Sequence, residues 1–119
     1  MTKGESLENK LRQANDKLIS IVQLENTEVH QMAAIQVFEF TFELAWKYLK
    51  ERLEAKGIQA YAPRDVIREA GKAGLIDSVE KWLDFQNKRN LTTHTYNKDI
   101  ADEVYEAAKI FPALIEEII

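Results

Sequence analysis

The residues best suited to chemistry in this sequence fall within eight positions, Arg89–Tyr96. His94 can accept or donate a proton near neutral pH. Arg89 carries a permanent charge on planar N–H donors that match a phosphate. The chain has one other histidine, His30, and no cysteine. If the protein catalyses a reaction, we therefore expect Arg89 and His94 to perform it.

These residue types suit the cleavage of RNA without a metal. That reaction needs a base for the 2′-hydroxyl, an acid for the leaving oxygen and a cation for the charge on phosphorus. Asn90 can orient either Arg89 or His94 by hydrogen bonding. In the alternative, arginine and asparagine near a helix end bind free carbonyls, and histidine caps the helix. The spacing alone favours this structural role.

Helical geometry separates the two main residues. Because a helix turns about 100° per residue, Arg89 and His94 would point about 140° apart on one ideal helix. Three arrangements would bring them together. The helix can loosen at Thr92-Thr93, the arginine can wrap around on its long side chain, or two chains can pair so that both line one cleft. The wide apolar surface of the second predicted helix favours the third arrangement.

Other polar residues are weaker candidates. Asp84 and Asn87 precede Arg89 closely and can assist it, although a solvated helix surface is the commoner role. His30 lies at a helix start, where a surface or capping role is the default. Trp82 can stack on a base, but a tryptophan on a helix stripe more often belongs to the core. We expect no metal and no cofactor, since two distant histidines without cysteine form a poor zinc site and no phosphate-binding glycine loop is present.

Length and composition predict one domain over residues 1–119, because 45% of the residues are hydrophobic and the length is typical of a single core. A net charge of −4 and a pI near 5.2 argue against binding nucleic acid by overall charge. A local basic cluster remains at Lys88, Arg89, His94 and Lys98. No apolar window would span a bilayer, and no secretory signal is evident. We expect a cytoplasmic protein without a membrane association.

The sequence predicts an all-helical fold, since four glycines and two prolines leave few helix breakers. The first helix should run from about Glu5 to Leu24. The second should run from about Glu28 to Lys56, with Thr27 as its N-cap. Proline at position 63 suits the start of a third helix, which Gly71 and Gly74 should end.

Two later helices complete the prediction. Asp77 with Glu80 resembles a capping box for the fourth helix. Asp99 is the expected N-cap of the fifth, and Pro112 should kink or split that helix. The apolar C-terminal residues, 114–119, should dock into the bundle or meet a partner.

The second predicted helix carries apolar residues over an unusually wide arc. One row contains Ile35, Phe38, Phe42, Ala45 and Leu49, and another contains Val37, Phe40, Leu44 and Tyr48. On the polar face, Glu43 precedes Lys47 by four residues, the favourable order for an ion pair. Such a helix is either the centre of a bundle or one side of an oligomer interface, because obligate interfaces share the composition of cores. Both alternatives remain open at this point.

Two segments resemble the HEPN superfamily, in particular its branch of nucleotidyltransferase substrate-binding proteins. They are Gln36–Lys47 in the long helix, and Trp82 followed by the segment Arg89–Tyr96. The segments 63–70 and 74–76 are also similar to that branch. The resemblance extends from about Leu7 to Phe111.

This resemblance implies an up-and-down four-helix bundle with one additional short helix, paired as a homodimer. It implies a small nucleotidyltransferase as partner, and a metal-independent ribonuclease toxin with Arg89 and His94 catalytic and Asn90 supporting. Tyr96 occupies the position that the nucleotidyltransferase adenylylates in some members, and Asp84 is the residue that best fits an additional upstream acidic position. The acidity of the chain departs from what a ribonuclease would show. In the alternative, the bundle is a non-catalytic subunit that binds a nucleotide or substrate.

Overall fold

A computed structural model describes residues 6–119, which form five α-helices and a single 3₁₀ turn. No strand occurs in this range, and the predicted all-α class is confirmed. The predicted start of the first helix at Glu5 lies outside the described residues. The helices run over Leu7–Val22 (α1), Glu28–Ala55 (α2), Pro63–Lys72 (α3), Val79–Asn90 (α4) and Lys98–Ile118 (α5), and the 3₁₀ turn over Leu91–His94 follows α4.

Helix α2 is the centre of the bundle, since it packs against α1, α3, α4 and α5. Helix α1 also packs on α5, and α5 packs on α4, so these four helices enclose one core. The short α3 lies against α2 and α4. The predicted bundle with one additional short helix is therefore confirmed. None of the helices in residues 6–119 combines the length and the apolar character needed to pass through a bilayer.

An aromatic cluster joins α4 and α5 to α2 at the middle of the core. The ring of Phe111 lies 5.0 Å from that of Phe85 and 5.6 Å from that of Trp82, measured between centroids. It also lies 5.2 Å from the ring of Phe38 and 5.8 Å from that of Phe42. Tilted and edge-on ring pairs at these distances are favourable. Trp82 is therefore a core residue, and this cluster fixes the direction in which α4 delivers its C-terminal end.

The wide apolar surface of α2 is used only in part by the bundle. The first predicted row is buried throughout, which makes α2 a central bundle helix. On the outer side, Val29, Met32 and Phe40 remain exposed, Phe40 at 41%. Residues three or four apart, and their multiples, share one helix face. An apolar face thus remains uncovered next to the buried one.

The N-cap of α2 is the predicted residue, whereas the N-caps of α4 and α5 are not. The Thr27 side chain accepts a hydrogen bond from the backbone N–H of His30, as expected for an N-cap. The predicted cap Asp77 is wrong, because Ser78 is the residue in extended conformation and its hydroxyl accepts from the N–H of Lys81.

The predicted cap of α5 is wrong for the same reason. Asn97 has the extended backbone of an N-cap and accepts from the N–H of Asp99, which places Asp99 inside the first turn. In both cases the cap lies one or two positions away from an acidic residue that looked suitable in the sequence.

Gly71 does not end α3, contrary to prediction. It lies inside the helix, where a Cβ atom would overlap the Cγ2 of Val79, so glycine permits the close approach of α3 to α4. The helix ends at Lys72, and Gly74 follows with a φ of +76°, a conformation that favours glycine. Pro112 does not split α5, which is continuous to Ile118. The C-terminal turns dock into the bundle through Leu114, Ile115 and Ile118.

Candidate active site

The end of α4 changes conformation between Arg89 and His94. The α-helix stops at Asn90, and Leu91–His94 form a tighter 3₁₀ turn. The hydroxyl of Thr92 donates to the Arg89 carbonyl at 2.8 Å, and that of Thr95 donates to the Thr92 carbonyl at 3.1 Å. Threonine hydroxyls that bind nearby carbonyls compete with helix continuation. The regular α-helix therefore ends before Thr92-Thr93, where the first of the three predicted arrangements places an irregularity.

Arg89 is held by two carboxylates of α2, which we call the carboxylate clamp (Glu39 and Glu43). Its Nε donates to Oε2 of Glu43 at 3.1 Å, and its Nη2 lies 3.4 Å from Oε2 of Glu39. The Arg89 side chain is 26% exposed. A guanidinium gripped at Nε and Nη2 is fixed in its plane, because its donors form a rigid fork.

The clamp leaves part of the guanidinium free. Nη1 of Arg89 donates no hydrogen bond within residues 6–119. Two carboxylates outweigh the single positive charge of the arginine. The clamp therefore leaves Arg89 with directed N–H donors and without a net local positive charge.

His94 and Asn90 are exposed and unengaged. Neither side chain makes a hydrogen bond within the described part of the chain. The His94 ring stands edge-on to the ring of Tyr96, with centroids 6.2 Å apart. The structure thus places an accessible imidazole, an accessible amide and a phenol at the end of α4. In residues 6–119 no three histidine, aspartate or glutamate side chains are grouped to hold a metal ion.

Asp84 does not contact Arg89. It lies 3.1 Å from Nζ of Lys88, which also lies 3.6 Å from Glu103 on α5. The acidic groups at Arg89 come instead from Glu39 and Glu43 of α2, which were not predicted at this site. Glu43 binds Arg89 and no ion pair to Lys47 forms within the described residues. The signal that would have found them is a pair of acids one turn apart in the segment 37–46, whose other residues are apolar except for Thr41.

A groove of about 530 Å³ adjoins the clamp. One wall is the N-terminal half of α2, and the other is the segment 92–101. Tyr96 borders it and is 86% exposed. Glu39 lines the same groove, so it joins the groove to Arg89.

A polar network lies behind the groove. Oδ1 of Asp102 accepts hydrogen bonds from Nε2 of Gln31 and from Nζ of Lys98, both at 3.0 Å. The hydrogen bond from Gln31, and then that from Lys98, hold the pKa of Asp102 below its ordinary value despite some desolvation. Asp102 is therefore ionised at neutral pH, and Gln31 and Lys98 both line the groove.

Comparison with known sequences identifies the family of this chain. Residues 4–118 match the family described as "Nucleotidyltransferase substrate binding protein like". A Haemophilus influenzae protein named "Probable ribonuclease HepT" is 42% identical over an alignment of 88 residues that covers 70% of this chain. The chain spans 59% of the length of that relative.

Solved structures share the whole bundle. A protein from Thermus thermophilus is 34% identical, with a TM-score of 0.85 over 91% of this chain and 94% of its own. A Haemophilus influenzae protein, described as revealing the fold of a substrate-binding domain of a nucleotidyltransferase, is 29% identical. Its TM-score is 0.80 over 93% of this chain and 95% of its own.

Proposed function

We propose a function for this chain on the premise that it belongs to the nucleotidyltransferase substrate-binding-protein-like family. It is a subunit that acts with a nucleotidyltransferase. It is also a metal-independent endoribonuclease of the HEPN type, and the nucleotidyltransferase neutralises it as a toxin. Arg89 and His94 perform the cleavage, and Asn90 supports them. The observation that carries the proposal is an Arg89 side chain fixed by the clamp, five residues before an accessible His94.

The reaction uses proton transfer and charge stabilisation. An imidazole takes the proton of a ribose 2′-hydroxyl, and that oxygen attacks the adjacent phosphorus. The bond from phosphorus to the 5′-oxygen breaks, and this oxygen receives a proton as it leaves. The free Nη1 hydrogens of Arg89 stabilise the charge on the phosphoryl oxygens. A cyclic phosphate and a 5′-hydroxyl result, and no other reactant is needed.

A second copy of the chain completes the cleft. The exposed face of α2 at Val29, Met32 and Phe40 is the part of the bundle that a partner would cover. Glu39 and Glu43 lie beside Phe40 on the same helix, so pairing through this face would bring two clamps together. One His94 then serves as base and the other as acid, which a single imidazole cannot do in one step.

Tyr96 is the site at which the partner silences the cleft. Its phenol oxygen attacks the α-phosphorus of ATP, the bond to the bridging oxygen of the β-phosphate breaks, and pyrophosphate leaves. The phenol proton passes to a base of the partner or to water. The exposure of Tyr96 admits such an enzyme. An added phosphate beside His94 would compete with RNA for the same donors.

The histidines provide a matched test of the ribonuclease. Purified wild-type protein is expected to cleave RNA in buffer that contains a chelator, and His94→Ala to lose this activity. His30→Ala is the control, because His30 contacts the Glu25 carbonyl, at the start of α2. Growth arrest on expression should follow the same pattern. Intact RNA after incubation with the wild type would refute the ribonuclease.

The alternative is a non-catalytic subunit that presents a nucleotide or substrate to the nucleotidyltransferase. The groove beside Tyr96 favours it, since its volume suits a small ligand. In that case His94→Ala leaves RNA unaffected and alters only the reaction of the partner enzyme.

A further inference from the structure

We propose that the groove between α2 and the segment 92–101 binds one nucleoside 5′-phosphate unit, and that the amide of Gln31 recognises the base. The inference deepens the proposed function and rests on it for the nature of the ligand. The nucleotide would bind in this groove and not at Arg89 and His94.

The groove has the size and lining of a small-ligand site. Its volume of about 530 Å³ lies within the range of roughly 300–1,000 Å³ that such sites occupy. Ile35, Met32 and Ala101 provide apolar surface for a flat base. The amides of Gln31 and Gln36 stand among them. The rest of the lining is polar and includes Lys98, Glu28 and Glu39, so the apolar patch of three side chains is where a base would lie.

Gln31 is held in one orientation before any ligand arrives. It is 7% exposed, and its Nε2 donates to Oδ1 of Asp102. An ionised carboxylate only accepts, so the amide cannot turn its oxygen toward Asp102. The low pKa of Asp102 keeps that carboxylate ionised. The direction of Oε1 is thereby set.

The rest of the amide remains available. Within residues 6–119, Oε1 of Gln31 and the second hydrogen on Nε2 have no partner. A glutamine amide forms a two-point pair with adenine, accepting from its amino group and donating to the neighbouring ring nitrogen. An adenine nucleotide is therefore the expected occupant.

The groove and the face that a second copy would cover lie side by side on α2 and share Met32. Gln31 and Val29 are two residues apart on α2 and point roughly 160° away from each other. Met32 and Gln36 lie at the rim between the two surfaces. Pairing of two chains would therefore cover the rim at Met32, while Gln31 lies on the side of the groove away from that contact.

Two sources can supply the same nucleotide. One is a residue of an RNA strand that continues from the Arg89–His94 site. The other is a nucleotide joined to the Tyr96 hydroxyl, because Tyr96 borders the groove. The chemistry recognised at Gln31 is the same in both cases, so the experiment has to separate them.

AMP is the first probe, titrated into the full chain by calorimetry and by NMR of the side-chain amides. Saturable binding with a shift of the Gln31 amide signal is expected. Gln31→Leu should weaken binding by about tenfold, the effect of losing a two-point hydrogen bond. Gln86→Leu is the matched control, since Gln86 is a buried glutamine of α4 away from the groove, and it should bind as the wild type does.

Three results would overturn the proposal: no saturable binding of AMP, equal affinity in Gln31→Leu, or an equal loss in Gln86→Leu. If Gln31→Leu fails to fold, Asp102→Asn answers the same question. That variant removes the charge that orients Gln31 and should weaken AMP binding severalfold. Unchanged affinity would again refute the assignment.

Two further arms identify the source. A short adenine-containing single strand of RNA, added to unmodified protein carrying His94→Ala, should shift the Gln31 amide if the source is RNA. Protein co-expressed with the nucleotidyltransferase should show that shift without added nucleotide if the source is Tyr96. A shift in neither arm overturns the proposal. Neither arm measures RNA cleavage. The protein can therefore bind AMP without being a ribonuclease, or cleave RNA without binding AMP in the groove, and the experiments distinguish these outcomes.

Discussion

Arg89 and Glu43 are 46 residues apart in the chain, yet Nε of Arg89 donates to Oε2 of Glu43 at 3.1 Å. The bond joins the C-terminal end of α4 to the middle of α2. With Glu39 on Nη2, it sets the plane of the guanidinium before a ligand binds. The orientation of the proposed catalytic arginine is thus decided by a helix that contributes no catalytic group.

Glu43→Gln should therefore impair the proposed cleavage without weakening RNA binding. The neutral amide holds the guanidinium less firmly, and misplacement of a catalytic group by about 1 Å costs up to roughly a hundredfold in rate. Removing a negative charge next to Arg89 also makes the binding of an RNA phosphate more favourable. We expect kcat for RNA cleavage to fall by about tenfold or more, while KM does not rise.

Glu51→Gln is the control for this variant, because Glu51 is exposed on the same helix and has no ion pair within residues 6–119. The Arg89 Nε–H signal in NMR should broaden in Glu43→Gln alone. An unchanged kcat would show that the clamp does not position Arg89.

Phe40→Glu should separate the proposed dimer into monomers. Placing a charge in a buried apolar contact is unfavourable, and the loss of an interface hot spot costs about 2 kcal/mol or more. Sedimentation at micromolar concentration is expected to show a dimer for the wild type and a monomer for the variant. Ile110→Glu, at an exposed isoleucine of α5, should remain dimeric. A monomeric wild type would contradict the proposal that two chains share one cleft.

Tyr96→Phe should abolish modification by the nucleotidyltransferase, because the phenol oxygen is the attacking atom. Mass spectrometry after co-expression is expected to show added nucleotide on the wild type and none on the variant. Tyr61→Phe is the matched control, since Tyr61 is another highly exposed tyrosine, at 72%. Nucleotide on the Tyr96→Phe protein would place the modification elsewhere.

Asp102→Asn should change the pH dependence of stability. The pKa of Asp102 is lowered in the folded state, below the ordinary value of 3.8, by the hydrogen bonds from Gln31 and Lys98. Its contribution to the free energy of unfolding is therefore complete above that value and is lost as the pH falls through the lowered pKa. Urea unfolding should show that the free energy of unfolding differs between the wild type and Asp102→Asn by a constant amount from pH 7 to about 5. This difference should disappear at lower pH.

The exposed Asp16→Asn on α1 provides the baseline for that comparison. A difference between wild type and Asp102→Asn that persists at a pH well below 3.8 would mean that the ionised form of Asp102 is not what stabilises the fold.

Elements with a strong local signal were predictable. The first apolar row of α2, the Thr27 cap and the start of α3 at Pro63 all follow from patterns within a few residues, and the structure confirms them. The caps at Ser78 and Asn97 were missed because several neighbouring side chains can cap a helix, and only the backbone conformation selects one. Gly71 was misassigned because its role depends on Val79 of another helix.

The sequence by itself determined the all-helical bundle and which residues carry reactive groups, because periodicity and side-chain chemistry are local properties. Tertiary packing alone decided what surrounds those groups. It brought Glu39 and Glu43 to Arg89, and it placed Gln31 against Asp102 in the groove that Tyr96 borders. These contacts join distant parts of the chain, and their partners are set by how the helices pack around the core, which no short segment encodes.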